Sequence, residues 1–383
     1  MRFIHTADWH LGRSLYGARL IDDQAHILEQ ICNHIEETKS SLLVIAGDVY
    51  DRSIPAPEAI ELLDNFLSRV VLDLKVPVIL IAGNHDSARR IEFGSRLLRE
   101  KGLHIFGSIT DTIESVIIED SEGPVCFYAV PYLEPLLRQN SNTRDPVTHA
   151  DAFNEHLRKI RQLHPPGQRS VIIAHAFVAG GTTSESERPL SVGGTEVIPS
   201  TCFEGFDYVA LGHLHRPQFV QKPRIRYAGS PLKYSFSETD HCKSVDLVEL
   251  NSSRSVTVTP LPLQPRREVR RVEGLFDDIL RNDTLQGGAR EDYLMVTLLD
   301  DKPILDVMER LRNKFPNVLH VERPALTKTT NPTSNRVRPD PRERNALKLF
   351  KAFFEHVTGN NLSEEFAKAY EEIATHVRED PKA

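Results

Sequence analysis

Residues 42–51 have the sequence LLVIAGDVYD, in which an apolar run from Leu42 to Ala46 stops at Gly47 and the carboxylate of Asp48. An apolar run of about four to eight residues that ends at a glycine is typical of a buried strand in a parallel sheet. A carboxylate at the carboxyl end of such a strand lies where open α/β sheets bind their ligands. Asp48 alone could equally cap the helix that follows.

The same arrangement recurs along the chain: a predicted strand is followed by polar side chains of the kinds that bind metals. The further positions are Asp8, His10, Asn84, His85, His175, His213 and His215. Five strand ends of this kind are hard to explain by structural needs alone. The sequence therefore predicts one polar cleft that binds metal ions.

The composition is that of a globular protein with more than one domain. The chain has 383 residues, of which 40% are hydrophobic and 26% charged. No apolar run approaches the roughly 18 residues of a membrane span, and the first residues do not have the basic-then-apolar pattern of a signal peptide. We therefore expect a cytoplasmic protein that does not associate with membranes.

The net charge of −7 argues against nucleic-acid binding by bulk electrostatics alone, because Lys and Arg neutralise phosphates. Metal ions in the cleft, local basic stretches or a partner subunit could supply the positive charge instead. The four cysteines are widely spaced and form no C-x-x-C motif, so they indicate neither a zinc ribbon nor a disulfide framework.

Strand and helix patterns alternate over the first 110 residues and predict an α/β layered domain. The predicted strands there are Arg2–Thr6, Leu42–Ala46 and Val76–Ile81, and the predicted helices are 22–38 and Pro57–Leu72. Further strands are expected at 114–118, 125–130, 170–174, 208–211, 226–228 and 245–250, with a helix at 151–163. The long loop after His175 lacks G-K-[ST], so no nucleotide-phosphate site is predicted in it.

Composition shifts at Pro265, which marks a predicted domain boundary. Residues 1–263 are predicted to form the first domain, and residues 265–325 a small α+β module. Residues 326–342, rich in Thr, Pro, Asn and Arg, form a predicted linker. Residues 343–380 are predicted to form two amphipathic helices, which either dock on their own domain or fill a groove on another protein. We favour the groove.

The candidate residues together suit a site for two divalent metal ions. Two ions about 3.5–4 Å apart can activate water at neutral pH and neutralise the attacking and leaving oxygens of a phosphodiester. The mixture of imidazoles and carboxylates suits Mn, Fe or Zn better than an all-oxygen Mg site. His5 lies inside a strand and is predicted to be a hydrogen-bonded structural residue, and Trp9 is predicted to pack in the core.

In the order D-x-H, GD, GNHD, H and GHxH, these motifs resemble those of the calcineurin-like metallophosphoesterases. Four stretches are similar to one branch, the SbcD proteins, which are bacterial DNA double-strand-break repair nucleases of the meiotic-recombination type. They are FIHTADWHLG at 3–12, GHLHRPQ at 212–218, YAGSP at 227–231 and SFSE at 235–238. The likeness covers nearly the whole chain.

The resemblance implies a fold and a set of site residues. The implied fold is a four-layer β-sandwich flanked by helices, with a small α+β capping domain that recognises DNA and a C-terminal helix pair. The implied ligands of one metal are Asp8, His10, Asp48 and His215, and those of the other are Asp48, Asn84, His175 and His213. Asp48 would bridge the two ions. His85 would be the catalytic residue at the leaving oxygen, or alternatively would only orient Asn84.

The resemblance also implies an activity and partners. The activity is a manganese-dependent 3′-to-5′ exonuclease on duplex DNA and an endonuclease on single-stranded or hairpin DNA, in repair, recombination and replication. The cofactors would be two Mn²⁺, with Mg²⁺, Fe or Zn as alternatives. The partner would be an SbcC-type ATPase with long coiled coils, bound by the C-terminal helices. The chain would be a homodimer within a nucleoid-associated heterotetramer.

Three observations bear on this interpretation. Archaeal relatives carry a further His at the position of Asp51, so the resemblance is incomplete there. A phosphoesterase for a small nucleotide or phosphoester is the alternative function, although protein phosphatases of the superfamily have Arg where this chain has Ala82. A non-catalytic scaffold is a third possibility, but it predicts lost ligands and none is missing.

Overall fold

The structure is a computed structural model, and it describes residues 1–110, 112–133, 149–187, 197–282, 287–302 and 304–324, with five isolated positions further on. Residues Met1–Ala325 form one compact unit and Leu326–Ala383 a second. Of the second unit only positions 350, 351, 354, 363 and 367 are described. The predicted linker and helix pair therefore lie outside the described residues.

The strands of the described ranges belong to the first unit. In chain order they are β1 (Arg2–Thr6), β2 (Ser14–Leu15), β3 (Ala18–Arg19), β4 (Leu43–Ala46), β5 (Val78–Ile81), β6 (Leu103–Phe106), β7 (Ser115–Asp120), β8 (Gly123–Val130), β9 (Arg169–His175), β10 (Tyr208–Gly212), β11 (Gln218–Val220), β12 (Lys222–Tyr227), β13 (Ser244–Leu250), β14 (Val256–Pro262), β15 (Val269–Gly274), β16 (Tyr293–Leu298) and β17 (Val318–Glu322).

The α-helices of the same ranges are mostly short. They are α1 (Ile21–Thr38), α2 (Pro57–Ser68), α3 (Ala88–Ile91), α4 (Ser95–Arg99), α5 (His149–Leu163), α6 (Phe276–Arg281) and α7 (Val307–Lys314). Among the described residues, no helix combines the length and apolar character needed to cross a membrane.

Two six-stranded sheets stack face to face. The first has the order β14-β13-β1-β4-β5-β6 and the second the order β11-β12-β10-β9-β8-β7. Their facing sides share an apolar core, in which the ring centroids of Phe3 and Phe127 are 5.4 Å apart. Helices α1 and α2 pack on the outer side of the first sheet, and α5 on the outer side of the second. These four layers confirm the predicted architecture.

Parallel strands bring several carboxyl ends to one edge of the sandwich. Strands β1, β4 and β5 are parallel neighbours in the first sheet, and β9 and β10 are parallel neighbours in the second. The loops after parallel strands emerge on the same side of a sheet. The two edges meet, because the N–H of His213 donates a hydrogen bond of 2.8 Å to Asp8. The predicted strand ends thus converge on one cleft.

Strands β15, β16 and β17 form a separate three-stranded sheet with α6 and α7, called here the three-stranded module. One face of the module has its own core, which includes Phe276 and Phe315. The other face packs against the β-sandwich, since Val269 and Tyr293 belong to the same apolar cluster as Leu263. The module alternates strands and helices in the order β15, α6, β16, α7 and β17, as expected for an α+β module at residues 265–325.

The helix predicted at Pro57–Leu72 is present, as an α-helix to Ser68 that continues as a π-helical turn, Arg69–Asp73. Ile60, which has helical spacing from the apolar Leu63, is nevertheless 48% exposed. The buried side chains of this helix are Ala59, Leu63 and Phe66, and one residue further on turns the side chain about 100° away from them.

His5 and Trp9 have the structural roles expected from the sequence. The His5 ring is buried, with Nδ1 3.0 Å from the Tyr208 hydroxyl and Nε2 3.2 Å from the Leu211 carbonyl. The Trp9 indole is buried and donates a hydrogen bond of 2.9 Å to the Thr6 hydroxyl. Both predictions are confirmed, and neither ring takes part in the cleft.

A buried ion pair joins the two sheets. Arg226 on β12 donates from Nε and Nη2 to the two carboxylate oxygens of Asp246 on β13, at 2.7 and 2.8 Å. Arg226 is 5% exposed and Asp246 is 0% exposed. Two parallel hydrogen bonds between charged groups fix the relative position of the strands that carry them.

Arg226→Met is expected to lower the free energy of unfolding by about 3–5 kcal/mol, because it leaves the Asp246 carboxylate buried without its partner. Urea denaturation followed by circular dichroism measures this loss. Arg2→Met is the matched control, since the Arg2–Glu249 pair is solvent-exposed and worth at most about 1 kcal/mol. Equal losses in the two variants would contradict a special role for the buried pair.

Candidate metal centre

The predicted ligands lie in loops or at strand ends on the shared edge of the two sheets. Asp8 and His10 follow β1, Asp48 follows β4, Asn84 follows β5, His175 ends β9, and His213 and His215 follow β10. Four of them have positive φ angles: Asp8 (55°), His10 (45°), Asp48 (50°) and His213 (108°). Such conformations cost a non-glycine residue about 1–3 kcal/mol each and concentrate at functional sites.

The first group of donor atoms belongs to Asp8, His10 and His215, whose ligand atoms all lie within 4.8 Å of one another. The Nε2 atoms of His10 and His215 are 3.0 Å apart. Oxygen Oδ1 of Asp8 accepts the hydrogen bond from His213, whereas Oδ2 is buried with no hydrogen-bond partner among the described residues. A buried carboxylate oxygen without a donor is unfavourable, and a cation would satisfy it.

The second group of donor atoms belongs to Asp48, His175 and His213. Oxygen Oδ1 of Asn84 is 3.0 Å from His175 Nε2 and 3.0 Å from His213 Nδ1. Oxygen Oδ2 of Asp48 is 3.4 Å from His175 Nε2 and 3.7 Å from His10 Nε2. Asp48 therefore lies beside both groups, and the seven predicted ligands share one cleft.

Hydrogen bonds on the far side of two imidazoles direct their Nε2 atoms into the cleft. His175 Nδ1 donates to the Ala46 carbonyl at 2.9 Å. His215 Nδ1 lies 2.7 Å from the Ser186 hydroxyl and 3.4 Å from a Glu238 carboxylate oxygen. Partners of this kind select the tautomer of a metal-binding histidine and hold its ring in place.

Burial keeps three of the imidazoles neutral. It lowers the pKa of His213 to about 3, with a contribution from the nearby His175. Burial also lowers the pKa of His215, and it holds the pKa of His10 well below its ordinary value. A neutral imidazole presents a lone pair, which is the form that binds a metal ion.

The carboxylates attract a positive charge to the middle of the cleft. Burial lowers the pKa of His175, but the charge of Asp48, a hydrogen bond to it and the charge of Asp8 raise it to about 9. Burial would raise the pKa of Asp48, but His175 and His10 outweigh it and hold that pKa well below its usual range. Burial and the neighbouring Asp48 raise the pKa of Asp8. The residues present therefore fit a cation held between the two carboxylates.

Asp86, the last residue of the GNHD motif, supports the site although the sequence offered no role for it. Its carboxylate accepts hydrogen bonds from the N–H groups of Val49 (3.1 Å), Tyr50 (2.9 Å) and Gly83 (2.9 Å). It thereby ties the loop after β4 to the loop after β5. The motif itself is the sequence signal for this residue.

Two buried carboxylates that contact His215 were also not predicted from the sequence. Glu187 accepts a hydrogen bond of 2.7 Å from the N–H of His215, and Glu238 contacts the hydroxyl of Ser186 and the His215 ring. Lys243 donates to Glu238 at 2.5 Å and to the His215 carbonyl at 2.8 Å. Glu238 is the last residue of the SFSE stretch, which is part of the family resemblance but does not indicate a role for this residue. No local sequence pattern marks Glu187 as part of the site.

Asp51 forms a third group of close donor atoms with His10 and His85. His85 Nδ1 donates to the Asp51 carbonyl at 2.8 Å, and the N–H of His85 donates to Asp48 Oδ1 at 2.8 Å. Arg13 lies 3.6 Å from the Asp51 carboxylate. The residue that departs from the archaeal pattern therefore orients His85 through its backbone.

Comparisons with known proteins agree with this fold. The family described as Calcineurin-like phosphoesterase matches residues 1–217. The family described as Type 5 capsule protein repressor C-terminal domain matches residues 265–358. Because the first match covers more than half of the chain, the protein is a calcineurin-like phosphoesterase and hence a metal-dependent phosphodiester hydrolase.

Two relatives cover nearly the whole chain, and the name of each describes it as the SbcD component of the nuclease SbcCD. The protein of Staphylococcus epidermidis is 33% identical over 368 residues, which are 95% of this chain and 95% of the relative. That of Staphylococcus saprophyticus is 34% identical over 384 residues, which are 99% of each chain. The chain belongs to the SbcD branch of the phosphoesterase family.

Asp48→Ala is expected to lower the metal content of the purified protein to less than half that of the unchanged protein, because Asp48 lies beside both groups of donor atoms. Elemental analysis by mass spectrometry measures this content after loading with Mn²⁺. Asp64→Ala, which removes an exposed carboxylate on α2, is the control and should keep the full metal content. Full metal content in Asp48→Ala would rule out a shared ligand at this position.

Proposed function

We propose that this chain is the nuclease component of a complex with an SbcC-type ATPase, and that it hydrolyses DNA phosphodiesters with two Mn²⁺. The observation that carries the proposal is the position of Asp48, 3.4 Å from His175 and 3.7 Å from His10, between two groups of buried donors. The word nuclease in the names of both relatives supports a nucleic-acid substrate. The activities are 3′-to-5′ exonuclease on duplex DNA and endonuclease on single strands and hairpins, in repair, recombination and replication on the nucleoid.

One set of residues would bind the metal ions, and a second set holds those ligands in their orientation. One ion would be held by Asp8, His10, Asp48 and His215, and the other by Asp48, Asn84, His175 and His213. When bound, such ions lower the pKa of a water molecule and neutralise charge on the phosphate. The Ala46 carbonyl and the Ser186 hydroxyl hold His175 and His215 in position, so the donor atoms need little rearrangement on binding.

DNA binding needs local positive charge, because the net charge of the chain is −7. We propose that the cations in the cleft supply part of it and that the three-stranded module, within the predicted capping domain 265–325, supplies more. This module begins with the stretch Arg266-Arg267-Glu268-Val269-Arg270-Arg271. Arg266 is half-exposed, and its ion pair of 3.9 Å with the exposed Asp22 is weak enough to be exchanged for a phosphate.

A substrate assay distinguishes a DNA nuclease from an esterase for small substrates. The full chain with Mn²⁺ is given a linear duplex labelled at its 5′ ends and, separately, bis(p-nitrophenyl) phosphate, each with and without the ATPase. We expect the duplex to be shortened from its 3′ ends, and Asp48→Ala to be inactive on both substrates. Hydrolysis of the small ester alone would favour the alternative function.

We assign His85 to the leaving oxygen of the substrate. It follows the ligand Asn84 directly, it is 7% exposed, and its ring centroid is 4.6 Å from that of His10. Its backbone N–H binds Asp48, and the Asp51 carbonyl fixes its ring. This anchoring from two sides suits a proton donor that must keep one orientation beside the phosphate.

His85→Gln is expected to bind both metal ions and to lose about 10²–10⁴-fold in turnover, the usual contribution of a general acid. Single-turnover cleavage and metal analysis on the same preparation measure the two quantities. His26→Gln, an exposed substitution on α1, is the control for a His-to-Gln change. Poor metal binding by His85→Gln would assign His85 a ligand or supporting role instead.

We propose that the predicted helix pair at 343–380 binds the SbcC-type ATPase, as the names of the relatives suggest. The two predicted helices carry apolar stripes that include Phe350, Phe354, Phe366 and Tyr370. In the described part of this unit, the rings of Phe350 and Phe354 have centroids 6.4 Å apart, so they lie on one side of the chain. Paired aromatic side chains of this kind are typical anchors in a hydrophobic groove.

Truncation after Pro339 should keep metal content and single-strand cleavage, because it leaves the compact unit Met1–Ala325 whole. It should abolish co-elution with the ATPase in size-exclusion chromatography. Phe354→Glu in the full chain should weaken that association in the same way, since it places a charge in an apolar contact. Aggregation of the truncated chain, or loss of its basal cleavage, would place the helices in the core of the enzyme.

We propose that the surface around α3 and α4 joins two copies of this chain. Phe93 is 87% exposed and Leu97 is 81% exposed, and two large apolar side chains this close are typical of an interface. Leu97→Glu is expected to convert a dimer into a monomer in sedimentation experiments. Leu305→Glu, at an equally exposed leucine in the three-stranded module, is the control and should remain dimeric.

A further inference from the structure

A cavity of about 390 Å³ opens between the β-sandwich and the three-stranded module. The β-sandwich contributes Leu20, Leu232 and Leu263 to its wall, and the module contributes Val269 and Tyr293. Among the described residues that line it, none is a predicted metal ligand. Its volume lies within the range of roughly 300–1,000 Å³ that small-molecule sites occupy in proteins.

The charged side chains around the cavity are already paired. Asp23 forms an ion pair of 3.0 Å with Arg267, and Lys233 forms one of 2.9 Å with Glu268. The apolar part of the lining consists of three leucines, three prolines, Val269 and Tyr293, and the polar side chains of Thr239, Asp240, His241 and Gln264 also line the cavity. A charged ligand would have to break one of these pairs and lose its own hydration, whereas a neutral apolar ligand would not.

One wall of the cavity reaches the metal centre directly. Lys243 lines the cavity, and its buried ammonium group donates to the His215 carbonyl at 2.8 Å and to Glu238 at 2.5 Å. Glu238 in turn lies 3.4 Å from the His215 ring. A shift of Lys243 therefore moves both contacts that hold the backbone and the ring of one predicted metal ligand.

Another part of the cavity lining belongs to the three-stranded module. Asp23 on α1 accepts hydrogen bonds from the Tyr293 hydroxyl at 2.9 Å and from Arg267 at 3.0 Å. These contacts join the module to the β-sandwich beside the cavity. A molecule in the cavity would contact the β-sandwich, the three-stranded module and Lys243 at the same time.

We propose that this cavity is a binding site for a neutral, mainly apolar small molecule, whose presence changes the metal affinity of the cleft through Lys243 and His215. The site is separate from the cleft that binds the substrate. It therefore regulates the hydrolase whatever phosphodiester the cleft accepts. By reciprocity, metal binding changes the affinity for the ligand by the same factor.

Binding is tested with the neutral fluorescent dye Nile red and the full chain. We expect saturable one-to-one binding to the unchanged protein and to Cys242→Ser. Cys242 is exposed and lines the cavity, so Cys242→Trp fills the space from its rim without altering the core. It should weaken dye binding by about tenfold or more, because the ring occupies the same volume.

A chemical route gives the same information if the Trp variant does not fold. N-phenylmaleimide should modify Cys242, because Cys32, Cys126 and Cys202 are buried, and the attached phenyl group should block the dye. Cys242→Ser, which lacks the thiol, should keep its dye binding after the same treatment. Absence of saturable binding, or binding that neither change affects, would overturn the proposed site.

The coupling is tested by calorimetric titration of Mn²⁺ in the presence and absence of saturating dye. We expect the Mn²⁺ affinity to change by about fivefold or more, with an equal change in dye affinity on addition of Mn²⁺. An unchanged Mn²⁺ affinity would overturn the regulatory role. Both experiments measure binding constants and not DNA cleavage. A negative result in either one therefore does not contradict the proposed DNA nuclease activity.

Discussion

The contact of His175 with the Ala46 carbonyl is the constraint on which the metal centre depends. It joins the last residue of β9 in one sheet to the last residue of β4 in the other, at 2.9 Å. The sheets can approach this closely because Gly47 and Gly212 lack side chains there. A Cβ at Gly212 would clash with the Ala46 carbonyl, and one at Gly47 would clash with the His175 ring. Gly47 also has a φ of 90°, which glycine adopts without strain.

The close approach concentrates ionisable groups where water is scarce. Asp8 and Asp48 are almost fully buried, and burial of a lone carboxylate is strongly unfavourable. A proton on His175, whose pKa is raised to about 9, balances part of this charge, and a divalent cation balances it better. The same groups that make the site attractive to metals therefore make the folded protein more stable when metals are bound.

The supporting residues explain why the ligand loops hold strained conformations. Asp86 accepts three backbone hydrogen bonds across two loops, and Glu187 and Glu238 hold His215 from behind. Lys243 extends this support to the wall of the cavity beside the three-stranded module. A series of contacts through Lys243 thus links the metal centre to the cavity beside that module, although the residues come from distant parts of the sequence.

The sequence by itself determined the layered α/β fold and the identity of the ligand candidates, because both depend on local patterns. An apolar strand such as β4 and the polar residues that follow it are neighbours in the chain, so periodicity and motif are enough to find them. Ile60 shows the limit of such patterns, since the same periodicity allows two adjacent apolar faces and packing chooses one. Local patterns do not say which ligands meet; the family resemblance implied the two ligand sets and the shared Asp48, and only the tertiary structure showed the distances between them and the position of Glu187 behind His215. These are contacts between residues far apart in the chain, and their positions depend on how two sheets stack rather than on any local sequence preference.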